Sequence, residues 1–191
     1  MEDHIKEDLR VQKTKQAIRN TLKEMIYEMD YPQITIKELT ARAQINRKTF
    51  YLHYRDLDDL FSELQEEVAD TYIKSNLSFS RMKDNEDLVR LVFESAEQMP
   101  LLYERLLCNG SYQSVTEKIS KIITDYRKKT DRGAFGMDEY SENLVFAYCA
   151  SNALLLYRQW VRDGKMIPLE ELITIATTLI CQGLSGVVEQ K

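Results

Sequence analysis

Two helix-start signals lie close together in the first third of this chain, and they tightly constrain the local structure. Thr35 is followed three residues later by Glu38, the spacing of a capping box in which each side chain bonds the other residue's amide. Asn46 is a favoured N-cap residue and precedes a second short polar and aromatic run. The sequence therefore predicts one helix beginning at Ile36 and another beginning at Arg47.

Very few residues separate these two predicted helices. The first helix is expected to end at about Ala43 and the second near Tyr54, so only Gln44 and Ile45 lie between Ala43 and the second N-cap. Two short helices joined by such a turn are typical of a helix-turn-helix, whose second helix enters the major groove of DNA with its N-terminus first.

The start of the second helix offers residue types that contact DNA. Arg47 and Lys48 can bond guanine edges or phosphates, and Thr49 can reach a base or a thymine methyl group. Tyr51 and His53 are suited to phosphate contacts. The alternative is an ordinary helical corner with a solvated basic face. The candidate contacts from this helix are Asn46, Arg47, Lys48, Thr49, Tyr51 and His53.

The charge distribution supports a nucleic-acid partner, although the total charge does not. The chain has a net charge of −5, but residues 10–55 contain 10 basic and 4 acidic side chains, an excess of +6. A basic N-terminal segment joined to an acidic remainder is the pattern expected when one part approaches phosphates.

The rest of the sequence predicts an all-α protein. Glycine and proline are scarce, at 6 and 3 of 191 residues, and apolar residues recur at helical spacing. No apolar run approaches the length of a membrane span, and no signal peptide is expected at the charged start, which favours the cytoplasm. The predicted further helices span Leu9 to Met29, Leu57 to Ser80, Asn85 to Met99, Leu101 to Leu107, Val115 to Lys129, Asp138 to Arg162 and Pro168 to Val188.

On these residues the segment from 12 to 64 resembles the TetR family of transcription regulators. The family pattern places a threonine before the first helix and an aromatic-rich ending on the second. The matching residues are Thr35, Leu39, Thr40, Ala43, Ile45, Asn46, Phe50, Tyr51, His53, Tyr54 and Leu60. The sequences of residues 47–61 and 157–165 look most similar to the branch of the family that includes regulators of dihydroxyacetone kinase genes.

The resemblance implies a homodimer that binds a pseudo-palindromic double-stranded DNA operator and releases it when a small-molecule effector binds. It implies a helix-turn-helix DNA-binding domain at residues 1–60 and a helical effector-binding and dimerisation domain at residues 61–191. It also adds Thr35 and Lys37 to the expected DNA contacts. Gln44 departs from the family by replacing a turn glycine, and Leu57 stands where a phosphate-binding lysine is common.

The C-terminal helices carry the expected dimer surface and effector pocket. The helix from Asp138 is apolar on two adjoining faces, and the last helix carries apolar residues from Leu169 to Leu184, which favours a four-helix dimer interface over a monomeric bundle core. The aromatic residues of the pocket are equally compatible with an ordinary core. The expected pocket residues are Phe93, Met99, Tyr103, Tyr126, Tyr148, Asn152 and Trp160.

Enzyme classes are poorly supported by the sequence. Only His4 and His53 are present, so a histidine-based triad or a histidine-rich metal site is not expected, and no phosphate-binding glycine motif occurs. We expect no metal and no cofactor. The three cysteines are expected to be small buried residues, with redox sensing left open. The predicted function is a ligand-responsive repressor; the alternative is a co-regulator that keeps the fold but binds a protein or small molecule instead of DNA.

Overall fold

The chain forms a bundle of α-helices, as the sequence predicts. The structure, a computed structural model, describes residues 2–75, 85–130 and 136–183, and these residues contain no strand. Short 3-10 helices at Tyr31–Gln33 and Gly110–Tyr112 connect some of the α-helices. The α-helices are α1 (Glu2–Glu28), α2 (Ile36–Arg42), α3 (Arg47–Tyr51), α4 (Leu57–Ser75), α5 (Asn85–Glu97), α6 (Leu101–Cys108), α7 (Gln113–Thr130), α8 (Glu139–Arg162) and α9 (Leu169–Cys181).

The two terminal helices differ from their predicted lengths. Helix α1 begins at Glu2 and not at the predicted Leu9, so the acidic start of the chain is helical. Helix α9 ends at Cys181, because Gly183 adopts the left-handed backbone at φ 76° that stops a helix. The prediction that this helix continues through Gly183 is wrong, and Leu184 to Val188 lie outside the described residues. None of the described helices is long and apolar enough to cross a membrane.

The larger hydrophobic core joins the helix-turn-helix to the helices that follow it. Helix α4 lies across the expected boundary at residues 60 and 61, and it packs mainly on α7. Leu60 and Phe61 are both fully buried in the same core. This core contains Ile18, Leu22, Met25, Ile26, Ile34, Leu39, Phe50, Tyr54, Leu60, Phe61, Leu64, Val68, Ala69, Leu102, Tyr103, Leu106, Tyr112, Val115 and Ile119.

A second, smaller core joins α5, α8 and α9. Helix α9 turns Leu172, Ile173 and Ala176 into this core, where they pack within the subunit. These three residues were expected in the dimer interface, but the close packing of α9 on α5 uses them internally. The remaining buried members are Val89, Phe93, Ala153, Tyr157 and Trp160.

The carboxyl end of α1 is anchored by the segment around α6. The Arg105 guanidinium donates to the carbonyl oxygen of Ile26 in the last turn of α1, where carbonyl groups need partners from outside the helix. It also donates, at 3.3 Å, to the carbonyl oxygen of Met29 just after the helix. The Tyr112 hydroxyl also donates to the Met29 carbonyl at 2.6 Å. Asn109, which follows α6, has an extended backbone, and its side-chain Nδ2 donates to the Asp30 carboxylate at 2.9 Å. This anchor joins the two parts of the subunit directly before the helix-turn-helix.

Candidate nucleic-acid interface

Helix α2 begins where the sequence predicts, with half of the expected capping box. The Thr35 hydroxyl oxygen accepts a hydrogen bond from the Glu38 amide at 3.2 Å. The Glu38 carboxylate does not complete the box, because it accepts from Arg42 Nε at 2.8 Å. Arg42 also pairs with Glu28 of α1 at 2.6 Å, so the far end of α2 is tied to α1.

The turn between α2 and α3 has a strained backbone at Gln44, which stands where the family pattern has a glycine. Gln44 adopts φ 53°, in the left-handed region that glycine enters at little cost. The Ile45 amide then donates to the Thr40 carbonyl at 3.0 Å. The Ile45 side chain packs against the larger core. This turn folds α3 back against α2 within a few residues.

Helix α3 is shorter than predicted but correctly placed. The Asn46 side chain accepts a hydrogen bond from the Lys48 amide at 2.9 Å, which confirms the N-cap. The α-helix ends at Tyr51 and not near Tyr54, although the Tyr54 amide still donates to the Phe50 carbonyl at 3.0 Å. Phe50 and Tyr54 are buried and hold one side of this segment in the core.

The opposite side of α3 forms one continuous exposed face. A helix turns about 100° per residue, so the four exposed side chains between Arg47 and Leu52 fall within an arc of about 140° around the helix axis. Thr49 and His53, which were expected to contact DNA, are half-buried along one edge. Leu52 was not singled out in the sequence, but it is 80% exposed. The reading face, as we call it, consists of Arg47, Lys48, Tyr51 and Leu52.

Much of the basic charge near the N-terminus serves internal ion pairs. Lys15 pairs with Glu63 at 2.5 Å, and Lys23 pairs with Glu67 at 2.5 Å, so α4 neutralises part of α1. Arg19 also lies 3.6 Å from the Glu63 carboxylate. The excess of +6 over residues 10–55 therefore overstates the charge that is open to a ligand.

Three basic side chains at the starts of α2 and α3 are available to a ligand. Lys37, at the start of α2, and Arg47 and Lys48, at the start of α3, are exposed and form no ion pair within the described parts of the chain. Thr35 and Asn46 are exposed beside them. Five of the eight predicted DNA contacts are thus polar or basic residues exposed at the N-termini of α2 and α3.

Glu63 connects this surface to the body of the subunit. The Tyr54 hydroxyl donates to Glu63 Oε2 at 2.9 Å. Burial, followed by the hydrogen bond and charge of Glu63, raises the pKa of Tyr54, so its hydroxyl keeps its proton. Burial by itself would raise the pKa of Glu63, but hydrogen bonds from Lys15 and Tyr54 and the charges of Lys15 and Arg19 lower it overall.

An exposed cation lies just before the start of α4, at a position that the family pattern did not indicate. Leu57 lacks the phosphate-binding group expected there, and it packs against the larger core. Arg55 lies two residues earlier with an 86% exposed side chain, held at 3.3 Å from Asp59. The Asp59 carboxylate also accepts from the Arg55 amide at 3.0 Å. A cation therefore follows the reading face even though position 57 is apolar.

The predicted effector-pocket residues divide between the two cores. Tyr103 and the partly buried Met99 belong to the larger core, whereas Phe93 and Trp160 belong to the smaller one. Trp160 Nε1 is already bonded to the Ile167 carbonyl at 2.8 Å. The structure therefore assigns these four residues to two different cores and does not gather them in one pocket. The other members are the half-buried Tyr126 and Asn152 and the exposed Tyr148.

Helix α8 presents an apolar stripe on its outer face. Tyr140, Leu144, Tyr148 and Leu155 recur at helical spacing and are 82%, 74%, 51% and 63% exposed. Tyr148 was expected to line a pocket, but it is half exposed on this outer face and belongs to neither core. The opposite face of α8 carries Ala153, Tyr157 and Trp160 into the smaller core. Helix α8 therefore has two apolar faces, as predicted, but they lie on opposite sides of the helix and do not adjoin.

The cysteines are less buried than expected. Cys108 and Cys149 are half-buried, and Cys181 is exposed at the end of α9. Burial raises the pKa of the Cys108 thiol to about 11, and burial also raises the pKa of Cys149. These shifts disfavour the reactive thiolate at neutral pH.

Sequence comparisons identify one curated relative that carries a helix-turn-helix. No protein-family model matches the chain. The chain is 27% identical over 175 residues to the HTH-type transcriptional regulator YxbF of Bacillus subtilis strain 168. The match covers 86% of this chain but only 44% of that relative, so the chain spans less than half of the relative's length.

Solved structures resemble the whole bundle more closely. A TetR transcriptional regulator from Streptococcus agalactiae 2603V aligns with a TM-score of 0.67 at 20% identity, covering 93% of this chain and 98% of that one. The fatty acid degradation regulator FadR from Bacillus halodurans aligns with a TM-score of 0.60 at 17% identity, covering 90% and 96%. FadR from Bacillus subtilis, solved with stearoyl-CoA, also gives 0.60, at 14% identity, covering 88% and 98%. The chain has the fold of the TetR-family transcriptional regulators.

Proposed function

We propose that this protein is a sequence-specific DNA-binding transcriptional regulator, and not an enzyme. The observation that carries the proposal is the exposed basic surface at the N-termini of α2 and α3, where Lys37, Arg47 and Lys48 form no ion pair with the described residues. Residues 1–60 are proposed as the DNA-binding unit and residues 61–191 as the effector and dimerisation unit. The protein would act as a repressor in the cytoplasm, where its DNA is accessible.

The reading face is the proposed base-contacting surface. Arg47 and Lys48 are placed to bond guanine edges or phosphates, and Tyr51 reaches the backbone beside them. Thr35 and Lys37 meet phosphates from the start of α2, where the helix dipole also favours an anion. Thr49 and His53 contribute at the half-buried edge of the surface, and Arg55 supplies the phosphate contact that Leu57 lacks.

We propose that two subunits associate through the outer stripe of α8. The stripe is apolar over several helical turns, whereas most exposed positions of α8 outside it are polar. An isologous contact would pair the stripe with its own copy across a two-fold axis. Such a dimer carries two reading faces and therefore matches a pseudo-palindromic operator with one half-site for each subunit.

A small-molecule effector is the proposed signal. FadR from Bacillus subtilis has been solved with stearoyl-CoA, so a long-chain acyl-CoA is the first compound to test. Tyr103 with Met99 and Phe93 with Trp160 are the residue pairs from which a pocket is proposed to open. Similarity to the branch that includes dihydroxyacetone kinase regulators remains a prediction from the sequence alone, and it names no effector.

The competing co-regulator function is less well supported. It was suggested by Leu57 and by the acidic start of the chain. Leu57 fills a place in the core, and Arg55 provides exposed positive charge close by. Leu57 therefore does not argue for loss of DNA binding.

Selection from random duplex DNA tests the proposed function. The purified protein should enrich a sequence with two related half-sites separated by about one helical turn, bound by one dimer. Enrichment of no sequence, with a protein that is folded by circular dichroism, would reject the proposal. Addition of stearoyl-CoA to the complex then tests the effector, with release of DNA as the expected result.

A further inference from the structure

Leu52 is an unusual residue to find on the reading face. It is the residue that caps the carboxyl end of α3, and its side chain is 80% exposed. Its neighbour Tyr51 is less exposed, at 56%, and its ring packs edge-on against Phe50 with a centroid distance of 5.5 Å. Leu52 therefore leaves a flexible apolar group in water between polar and charged neighbours, where a polar residue would avoid that exposure.

The backbone places Leu52 one helical turn after Lys48. The Leu52 amide donates to the Lys48 carbonyl at 3.2 Å, and Leu52 keeps helical dihedrals at φ −72° and ψ −21°. Side chains on a helix lean towards its N-terminus, so the Leu52 side chain covers surface above the turn that carries Lys48. It therefore points along the same surface from which Arg47 and Lys48 extend.

The chemistry of leucine narrows what it can recognise on DNA. A leucine side chain has no hydrogen-bond donor or acceptor, so it gains nothing from a phosphate or from a polar base edge. The C5-methyl group of thymine is the apolar group that a base pair presents in the major groove. We propose that Leu52 determines part of the operator sequence by packing against a thymine methyl group. This inference rests on the proposed function and deepens it.

Replacing thymine with deoxyuracil tests the contact, because this change removes only the methyl group. The selected operator is prepared with each thymine of a half-site replaced in turn, in both half-sites, and affinity is measured for the wild type and for Leu52→Ala. One replacement should weaken wild-type binding by about fourfold per half-site, the value of one buried methyl group. The same replacement should have no effect on Leu52→Ala.

Leu101→Ala is the matched control. Leu101 is also a strongly exposed leucine, at 69%, but it lies at the start of α6 and not on the reading face. This variant should keep the wild-type response to every deoxyuracil replacement. Circular dichroism should show that both variants are folded, because neither leucine is part of a core.

The outcomes separate this inference from the proposed function. The protein could bind DNA specifically while Leu52→Ala responds to every deoxyuracil replacement as the wild type does. That result would overturn the thymine contact and leave the proposed function intact. A selected half-site without thymine would do the same. Failure to select any sequence would instead reject the proposed function, and the thymine contact with it.

Discussion

The Tyr54 hydroxyl donates a hydrogen bond to Glu63 Oε2 over 2.9 Å, which joins the end of the recognition segment to α4. Lys15 of α1 bonds the other carboxylate oxygen at 2.5 Å, and its ammonium lies 5.1 Å from the centre of the Tyr54 ring. One carboxylate therefore holds α1, α4 and the segment after α3 together. We expect its loss to loosen the reading face relative to the rest of the subunit.

Glu63→Gln should lower the free energy of unfolding at neutral pH by about 1 kcal/mol, since Lys15 and Tyr54 lose a charged acceptor. The pKa of Glu63 is lowered in the folded protein, so its contribution is present above the ordinary value of 4.5 and is lost as pH falls through the lowered pKa. Denaturant titrations of both proteins should therefore converge in acid. Glu66→Gln, an exposed neighbour on α4, is the control. An equal loss from both substitutions, or a difference that persists in acid, would contradict this account.

Gln44→Gly should raise the free energy of unfolding by up to about 1 kcal/mol, because it removes the strain of a left-handed glutamine but adds freedom to the unfolded chain. Thermal unfolding of the two proteins measures the change. Ala43→Gly is the control one residue earlier, where the backbone is right-handed at φ −72°, and it should destabilise the protein. Stabilisation by both glycines, or by neither, would show that strain at Gln44 is not the cause.

The features that the sequence predicted are local ones. Thr35 and Asn46 bond amides only a few residues away, so each cap depends on its immediate neighbours. The ion pair between Lys15 and Glu63 joins residues far apart in the chain, so charge counting placed Lys15 with the open cations.

The spacing of apolar residues in the sequence likewise does not predict which helices pack against each other. The apolar stripes of α8 and α9 look alike in the sequence, but α5 covers the stripe of α9 and leaves the outer stripe of α8 open. Which stripe is covered depends on how the helices are arranged in space. The same reason explains why four of the seven predicted pocket residues fall into two separate cores.

Leu144→Glu should dissociate the proposed dimer, because it places a charge at the centre of the apolar stripe on α8 without disturbing either core. Analytical ultracentrifugation should give a monomer for this variant and a dimer for the wild type. Leu101→Glu is the matched control, since Leu101 is 69% exposed and Leu144 is 74% exposed. A dimer that survives Leu144→Glu, or a wild type that sediments as a monomer, would contradict the proposed interface.

The salt dependence of operator binding by Arg47→Ala/Lys48→Ala tests the central claim most directly. Affinity should fall by at least about tenfold, and the slope of log affinity against log salt should become shallower by about one for each phosphate that the variant no longer neutralises. Lys128→Ala/Lys129→Ala removes the same charge from the exposed end of α7 and should change neither quantity. A wild-type affinity and slope for Arg47→Ala/Lys48→Ala would contradict the account, because DNA would then be bound elsewhere.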